Sequence, residues 1–425
     1  MKNLLILTIL TALLGCQKEF PAAPDYTEKL EVDVTVDWQL DLPPEEKVLF
    51  LHSNKSKIIY ITKDESLLYS YVFDSQNSLI AKYSYSPIDL ELIEPYCQSQ
   101  FIDDWIQIKY LNSSVFINPE SGQMKEAFDE QQNKPGSTTE YSLGKDNKCY
   151  YLEYTSDNAL VSKLWDLKED SKITLDTLET NLSSSTFVSY FFLGESEYLH
   201  FRNNFSNHVA YLKMDYEMGL DQFACSIIGV SFDRFFGSSV WNTKVLFRTI
   251  HYNQKTQPFF WDKENGIFLT DDKTLLCIDP MQQEIKWKRT LPDPLDCNMI
   301  LEDGKLFFVL QGEKAYCLDA NTGNIIWSAG FGYVPTKIDL SDGVLAISAL
   351  RRLESDEILA DAFNTLHLID SRTGRELYRN HDPVKKGYNI PNDYRVGLTR
   401  SVAIQNDRIY LADQYQFLSF RLHKN

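Results

Sequence analysis

Three stretches near the C-terminus repeat one pattern, in which an aromatic residue follows an aspartate by eight positions. The pairs are Asp279 with Trp287, Asp319 with Trp327, and Asp370 with Tyr378. A short pattern that recurs at intervals of several tens of residues is typical of folds built from repeated copies of one structural unit. The chain is therefore predicted to be an array of similar units rather than a fold organised around one catalytic motif.

Each copy is predicted to be a β-hairpin. An apolar run precedes the aspartate, and an alternating run that ends in the aromatic residue follows the turn. The aspartate can accept hydrogen bonds from backbone amides two residues on, and Gly323 and Gly374 can adopt the positive φ that closes a short turn. Gln283 replaces this glycine in the first copy, so we expect that turn to close differently.

Weaker copies extend the pattern towards the N-terminus. One keeps all three marks, one keeps the turn with an acidic residue at the aromatic position, and two keep only the aspartate. In that order they are Asp215 with Gly219 and Phe223, Asn118 with Gly122 and Glu126, Asp74 with Lys82, and Asp166 with Thr174. The outer strands are therefore predicted at positions 82, 126, 174, 223, 287, 327 and 378.

The two ends of the chain are predicted to form one further unit together. An alternating stretch around Trp38 resembles an isolated outer strand, and residues 402–422 supply about three strands that lack a fourth. Joining them closes a ring and removes the exposed edges of an open array. The sequence thus predicts an all-β propeller, with eight four-stranded blades as the first expectation and seven as the alternative.

The repeat resembles that of PQQ-type β-propellers, whose blades carry an Ala-Leu-Asp-x-x-x-Gly-x-x-x-Trp stretch, and the match covers about residues 265–380. The quinone dehydrogenases that share this repeat carry adjacent cysteines beside the cofactor and a bound calcium ion. This chain has no adjacent cysteines, so the resemblance does not imply PQQ, and we expect no cofactor. Function on a propeller depends on the site and not on the fold.

The N-terminus has the features of a bacterial lipoprotein signal. Lys2 precedes an apolar stretch too short to span a membrane, and this stretch ends in Leu13-Leu14-Gly15-Cys16, which resembles a lipobox. The sequence predicts a signal peptide over 1–15, a tether lipidated at Cys16 over 16–30, and one propeller domain over 31–425. The expected location is the envelope of a Gram-negative bacterium, at the outer membrane, with the side left open.

Composition argues against several functions. The formal net charge of −18 disfavours nucleic-acid binding. No CxxC pair, metalloprotease motif, nucleophile elbow or nucleotide-binding loop occurs, and the seven histidines are scattered. We therefore expect no metal site and no catalytic residues. Cys277 and Cys317 stand where the repeat has a small buried residue, and adjacent blades hold such positions too far apart for a disulfide.

In its whole layout the chain resembles the propeller lipoproteins of the outer-membrane β-barrel assembly machinery. The resemblance implies a scaffold that docks a protein partner and uses no cofactor. A surface lipoprotein that captures a glycan, a peptide or another small ligand is the alternative, and an enzyme ranks third. The oligomeric state stays open.

A partner face is predicted from long insertions between strands. These are residues 351–363, 381–395 and 226–258, and they combine aromatic and charged side chains of the kind that dominate protein interfaces. For residues 226–258 the alternative is a segment of ordinary strands. The candidate contact residues are Arg351, Arg352, Phe363, Tyr388 and Tyr394. We expect the first two insertions to lie on the same face of the ring.

Overall fold

The fold is an all-β propeller in a computed structural model of the protein. The structure describes residues 32–424, apart from 128–140, 180–205, 250–258, 351–363, 380–401 and shorter gaps of one to four residues. Within the described residues the chain forms strands throughout, with one 3-10 helix at Leu90–Leu92. No helix in this part of the chain is long and apolar enough to cross a membrane.

The first strand stands apart from its neighbours in sequence, and three regular blades follow it. The bounds are β1 (Val32–Asp41); blade 1 with β2 (Lys47–Ser53), β3 (Lys57–Lys63), β4 (Leu68–Asp74) and β5 (Leu79–Tyr85); blade 2 with β6 (Gln98–Ile102), β7 (Trp105–Tyr110), β8 (Ser113–Asn118) and β9 (Gln123–Ala127); and blade 3 with β10 (Tyr141–Leu143), β11 (Lys148–Tyr154), β12 (Leu160–Asp166) and β13 (Ser171–Glu179). Each blade is an antiparallel meander in which sequential strands pair.

The next sheet departs from this order. Its strands are β14 (Ser206–Glu217), β15 (Gln222–Asp233), β16 (Gly237–Asn242) and β17 (Phe247–Thr249). Strand β15 pairs with all three of the others, because its first half contacts β17 and its second half contacts β16. We call this the irregular sheet.

Three further regular blades and a closing blade complete the ring. The bounds are blade 4 with β18 (Phe259–Asp262), β19 (Gly266–Asp271), β20 (Thr274–Asp279) and β21 (Glu284–Thr290); blade 5 with β22 (Ile300–Glu302), β23 (Lys305–Leu310), β24 (Lys314–Asp319) and β25 (Ile325–Gly330); blade 6 with β26 (Val334–Ser341), β27 (Val344–Leu350), β28 (Asn364–Asp370) and β29 (Glu376–Arg379); and the closing blade with β30 (Val402–Gln405), β31 (Arg408–Ala412) and β32 (Gln416–Lys424). The fourth strand of the closing blade is β1.

The two ends of the chain close the ring as the sequence predicts. Strand β1 pairs antiparallel with β32 from Val32 opposite Lys424 to Asp41 opposite Gln416, and it forms the outermost strand of the closing blade. The last blade is thus built from both termini. This arrangement leaves no blade without its outer strand.

The expectation of eight equivalent blades is wrong, and the alternative of seven holds. Seven sheets have the regular four-stranded order, and the irregular sheet does not. Phe223 marks the error, because its repeat predicts an outer strand, whereas its backbone lies in β15 at the middle of the irregular sheet. Asp215, Gly219 and Phe223 have the spacing of the repeat, but the strands that contain them do not pair in the order of a regular blade.

Burial follows the position of each strand within its blade. Strands in the interior of a blade are buried on both faces: the five central residues of β2 and the five central residues of β3 are all buried. Outer strands alternate, and β21 alternates between exposed and half-buried residues along its whole length. A strand packed between two neighbouring blades reads as a continuous apolar run, and a strand at the rim reads as an alternating one.

The core is divided into clusters that each join two adjacent blades. One cluster joins blades 1 and 2, one joins blades 4 and 5, one joins blades 5 and 6, and two attach the closing blade to blades 6 and 1. Tyr60 of blade 1 stacks on Phe417 of the closing blade with ring centroids 3.8 Å apart. The ring is therefore stabilised by contacts between blades as well as within them.

Candidate functional site

The repeat motif forms the joint between one blade and the next. The indole of Trp327, on the outer strand of blade 5, lies on the turn of blade 6 and donates a hydrogen bond to the Ser371 carbonyl at 2.8 Å. A Cβ atom on Gly374 would lie 2.8 Å from this ring. Trp287 makes the same contact with Gly323, and its indole nitrogen donates to the Ala320 carbonyl at 2.9 Å. Only a residue without a side chain leaves room for the tryptophan.

The aspartate of the motif holds the turn in shape. Asp319 Oδ1 accepts hydrogen bonds from the backbone amides of Asn321 and Thr322 at 3.1 and 2.8 Å, and Gly323 then adopts a φ of 68°. Asp370 organises its turn in the same way, and Gly374 has a φ of 74°. The pKa of Asp319 is lowered, and the largest cause is the hydrogen bond from the Thr322 hydroxyl. In the first copy Asp279 accepts from Gln282, and Gln283 lies outside the described residues.

The other motif aromatics serve the neighbouring joints. Tyr378 packs in the cluster that blade 6 shares with the closing blade. Trp38, on β1, contacts Phe73 of blade 1 edge to face, with ring centroids 5.0 Å apart. These residues are structural parts of the ring.

A second group of polar side chains lies on the inner strands. Asp339 of β26 accepts hydrogen bonds from the Ile404 amide of β30 at 2.8 Å and from the Ser53 hydroxyl of β2 at 3.5 Å. Lys337, two residues before it, donates to the Leu51 carbonyl of β2 at 3.1 Å. These hydrogen bonds connect the first strand of blade 6 both with the first strand of blade 1 and with strand β30 of the closing blade. We call these residues, with His52 and Ser99, the axial cluster.

The axial cluster contains a hydroxyl–imidazole pair. His52 Nε2 lies 2.7 Å from Ser99 Oγ, and the histidine is 7% exposed. Burial lowers its pKa well below the usual value, and Lys337 adds to this effect, so the imidazole is neutral at pH 7. Burial also raises the pKa of Asp339, while Lys337 opposes that rise. Among the described residues no carboxylate bonds to His52, so the pair lacks the group that orients a catalytic imidazole.

In the described part of the chain, no group of three His, Cys, Asp or Glu side chains is placed so that it could hold a metal ion. Cys277 and Cys317 are fully buried opposite Trp287 and Trp327 on the neighbouring strand. Burial raises the pKa of Cys277 to about 12 and that of Cys317 to about 11. Both thiols fill the place of the small apolar residue of the repeat.

Exposed apolar side chains are concentrated in one stretch of the sequence, which runs from the outer strand of blade 1 into the connection to blade 2. Four of the seven large apolar side chains that are exposed in the described residues fall within positions 79–92. They are Leu79 and Ile80 on β5, and Ile88 and Leu92 in the connection to blade 2, and Ile88 is 71% exposed. We call this segment the blade 1 edge. Sequence reasoning missed it because single apolar residues on alternating strands are common.

The predicted partner face falls on residues that the structure does not describe. Arg351, Arg352, Phe363, Tyr388 and Tyr394 all lie outside the described residues, as does the lipidation position Cys16. The proposal that residues 351–363 and 381–395 share one face stays a prediction.

No protein-family model matches the sequence, and no curated protein matches it. Three solved structures are similar in fold at low identity. The computationally designed Ika8 protein has 12% identity and a TM-score of 0.50, with coverage of 90% of this chain and 98% of that one. Sqt1 from Saccharomyces cerevisiae has 10% identity and a TM-score of 0.51, with coverage of 91% and 98%.

The third structure is BamB from Moraxella catarrhalis, with 12% identity, a TM-score of 0.48, and coverage of 92% of this chain and 100% of that one. At such identities a likeness bears on the fold alone. The resemblance to PQQ-like propeller lipoproteins therefore stays a prediction, while the propeller itself is a property of the chain.

Proposed function

We propose that this protein is a non-enzymatic scaffold of the bacterial cell envelope, held at a membrane by lipid on Cys16, and that its propeller docks a protein partner. The outer membrane and a role in outer-membrane protein assembly are the finer parts of the same proposal. A propeller suits this role because its rigid ring presents several strand edges and loops at fixed positions.

The observation that carries the proposal is the blade 1 edge. A large apolar side chain left in water loses roughly 1.5–3 kcal/mol relative to its buried state. Concentration of such side chains along one edge is typical of surfaces that contact another macromolecule. The last strand of blade 1 also has an outer edge that pairs with no other strand among the described residues. A partner can therefore use backbone hydrogen bonds as well as apolar contacts there.

The test is recovery of a partner from native membranes in mild detergent, with the wild-type protein and with Ile80→Ser combined with Ile88→Ser. We expect a protein that copurifies with the wild type and is lost from this variant. Ile325→Ser combined with Ile326→Ser is the matched control, because these residues are 47% and 45% exposed on the outer strand of blade 5. Equal loss from both variants, or an isolated wild-type protein, contradicts the proposal.

The predicted partner face is tested in the same experiment. Removal of residues 351–363 abolishes copurification if that insertion contributes to docking, and it leaves copurification unchanged if the blade 1 edge is sufficient. The two results distinguish the two surfaces.

The lipid anchor is tested separately. Cys16→Ser is expected to release the protein from the membrane fraction, since one acylated residue supplies the attachment. Retention of this variant in membranes contradicts lipidation at Cys16.

A further inference from the structure

A polar cavity lies where the closing blade meets blade 1. Its volume is about 260 Å³, and its walls come from the β4–β5 turn of blade 1 and from the β30–β31 hairpin and β32 of the closing blade. Every lining side chain carries a polar group: Ser75, Gln76, Gln405, Asn406, Asp407, Arg408, Tyr410 and Arg421. A cavity of this size is smaller than those that hold drug-sized ligands. It fits one small polar molecule.

Strand pairing explains why three of these residues meet. Gln405 lies opposite Arg408, and Arg408 lies opposite Arg421 in the antiparallel register. Directly opposed residues point to the same face of a sheet. The three side chains therefore form a row across β30, β31 and β32, and this row lines the cavity.

All three members of the row have buried polar atoms that make no hydrogen bond. Both polar atoms of the Gln405 amide are of this kind, and the residue is 6% exposed. The Nε–H groups of Arg408 and Arg421 are the others; Arg408 Nε lies 2.8 Å from Asp37, whereas Arg421 Nε lies 3.7 Å from Asp407. A buried polar group without a partner costs roughly 1–3 kcal/mol. Apart from Arg408 Nε, which has Asp37 beside it, three such atoms belong to residues that line the cavity, where a polar ligand can pair with them.

A buried glutamine elsewhere in the ring shows the usual outcome. Gln107 of blade 2 donates to Ser114 Oγ and to the Tyr141 carbonyl, and its oxygen accepts from Leu143 and Gln100. The two glutamines are similarly buried, yet only the one at the cavity has no partners. The difference belongs to the site and not to the residue type.

The charges around the cavity balance. Asp37 of β1 lies 2.8 Å from Arg408 and 3.3 Å from Arg421, and Asp407 is the second acidic group. Two arginines and two aspartates leave no net charge to attract an ion. The lining offers little apolar surface to an apolar ligand, because every lining side chain carries a polar group. A neutral molecule whose groups both donate and accept hydrogen bonds matches the unpaired donors and acceptor of this lining.

We propose that this cavity binds a single neutral sugar ring, either a free monosaccharide or the terminal residue of a glycan. Two adjacent hydroxyl groups on the ring pair with the Gln405 amide, one donating to Oε1 and the other accepting from Nε2. A further hydroxyl accepts from Arg421 Nε. The site is independent of the blade 1 edge, and it does not depend on the protein having a docking partner.

The test is ligand-observed NMR and calorimetry on the purified protein with glucose, galactose, mannose and N-acetylglucosamine. We expect saturable binding of at least one of these sugars and at least a tenfold loss of affinity in Gln405→Leu. Gln39→Leu is the matched control, because this residue lies on β1 of the same blade and does not line the cavity. Circular dichroism establishes that both variants are folded. Arg421→Lys is the second test of the site: it keeps the positive charge and removes the guanidinium donors, so we expect it to weaken sugar binding as well.

The outcomes are distinct. Binding that survives Gln405→Leu, or the absence of saturable binding for all four sugars, overturns the proposal. Binding of acetate or phosphate in place of sugars also overturns it, because the site is then an anion site. Tighter binding of an oligosaccharide that ends in the preferred sugar identifies a glycan as the source, and equal binding identifies the free monosaccharide.

Discussion

The joints of blades 4–6 and those of blades 1–3 solve the same packing problem with different side chains. In the later blades a tryptophan lies on the glycine of the next turn, as Trp327 does on Gly374. In the earlier blades Tyr83 lies on Gly122 and donates to the Glu120 carbonyl at 2.9 Å, so one aromatic contact remains. At the next joint the outer strand supplies no aromatic residue, because Lys125 takes that place and pairs with Asp170 of blade 3 at 2.8 Å.

The ring therefore requires a contact between neighbouring blades at each joint, but not one particular residue. Lys125 also lies 5.7 Å from the ring centre of Trp165, so an aromatic group is still present, although it comes from the following blade. A tryptophan against glycine gains from burial and from shape, whereas an exposed ion pair gains little. The later joints are therefore expected to contribute more to stability than the Lys125 joint does.

The largest effect is expected for Gly374→Ala. Its φ of 74° costs a residue with a side chain roughly 1–2 kcal/mol, and the new methyl group also displaces Trp327. We expect the free energy of unfolding in urea to fall by about 3 kcal/mol. Gly304→Ala is the control, because Gly304 has a φ of 69° but no atom within 4 Å of its added Cβ. Equal losses in the two variants would show that the joint contributes nothing beyond backbone strain.

A smaller effect is expected for Trp327→Phe. This change keeps most of the buried aromatic surface and removes the hydrogen bond to the Ser371 carbonyl, which is then left unpaired. Loss of one partner of a buried hydrogen bond costs roughly 1–3 kcal/mol. Urea unfolding should show a loss of about 2 kcal/mol. Stability equal to that of the wild type contradicts a role for the indole N–H group.

The Lys125 joint is expected to respond weakly. Lys125→Met keeps the apolar stem beside Trp165 and removes the ion pair with Asp170, whose side chain is 68% exposed. Exposed pairs contribute about 0.2–1 kcal/mol, and salt screens them. The free energy of unfolding should fall by about 0.5 kcal/mol at low salt, and the difference should vanish in 1 M NaCl. A loss as large as that of Trp327→Phe contradicts the comparison between the two kinds of joint.

The smallest effect is a change in acid sensitivity. The bond from Lys125, followed by that from Trp165, lowers the pKa of Asp170 below its usual value. A carboxyl group with a lowered pKa in the fold stabilises it above its unfolded pKa of about 3.9, and this contribution is lost as the pH falls towards the folded value. Urea unfolding between pH 5 and pH 3 should therefore depend less on pH in Lys125→Met. An unchanged pH dependence shows that the pair contributes no proton linkage.

Much of the fold could be predicted because each repeat carries its own turn chemistry. Asp319 and Gly323 determine a local shape, and local shape can be read from spacing alone. The contact that gives the motif its tryptophan could not be read in this way, because Trp287 belongs to one blade and Gly323 to the next. The pattern records spacing within a blade, while the packing occurs between blades.

The errors have physical causes of the same kind. The turn of blade 1 is one residue shorter, so Val72 pairs with Ala81, and Lys82 points to the opposite face, where it lies over Tyr71. Tyr83 then makes the joint that an eight-residue spacing assigns to Lys82. In the irregular sheet the spacing around Phe223 is regular but the strand order is not.

The axial cluster and the cavity were beyond sequence reasoning for another reason. Asp339 and Ser53 are 286 positions apart, and only closure of the ring brings their strands together. A local signal is the pair Lys337 and Asp339, two charged residues separated by one position in a strand of the ring interior. Such a pair in an inner strand indicates that polar groups meet at the axis.

The pairing of β1 with β32 has a mechanical consequence. The strand that closes the ring is also the strand through which any pull from the preceding chain enters the domain, because the described fold begins at Val32. A pull along β1 loads all of its hydrogen bonds to β32 at once, whereas a pull across the strand opens them one pair at a time from Val32 opposite Lys424. The direction of force at the first strand therefore decides whether the ring resists as a whole or opens at its seam.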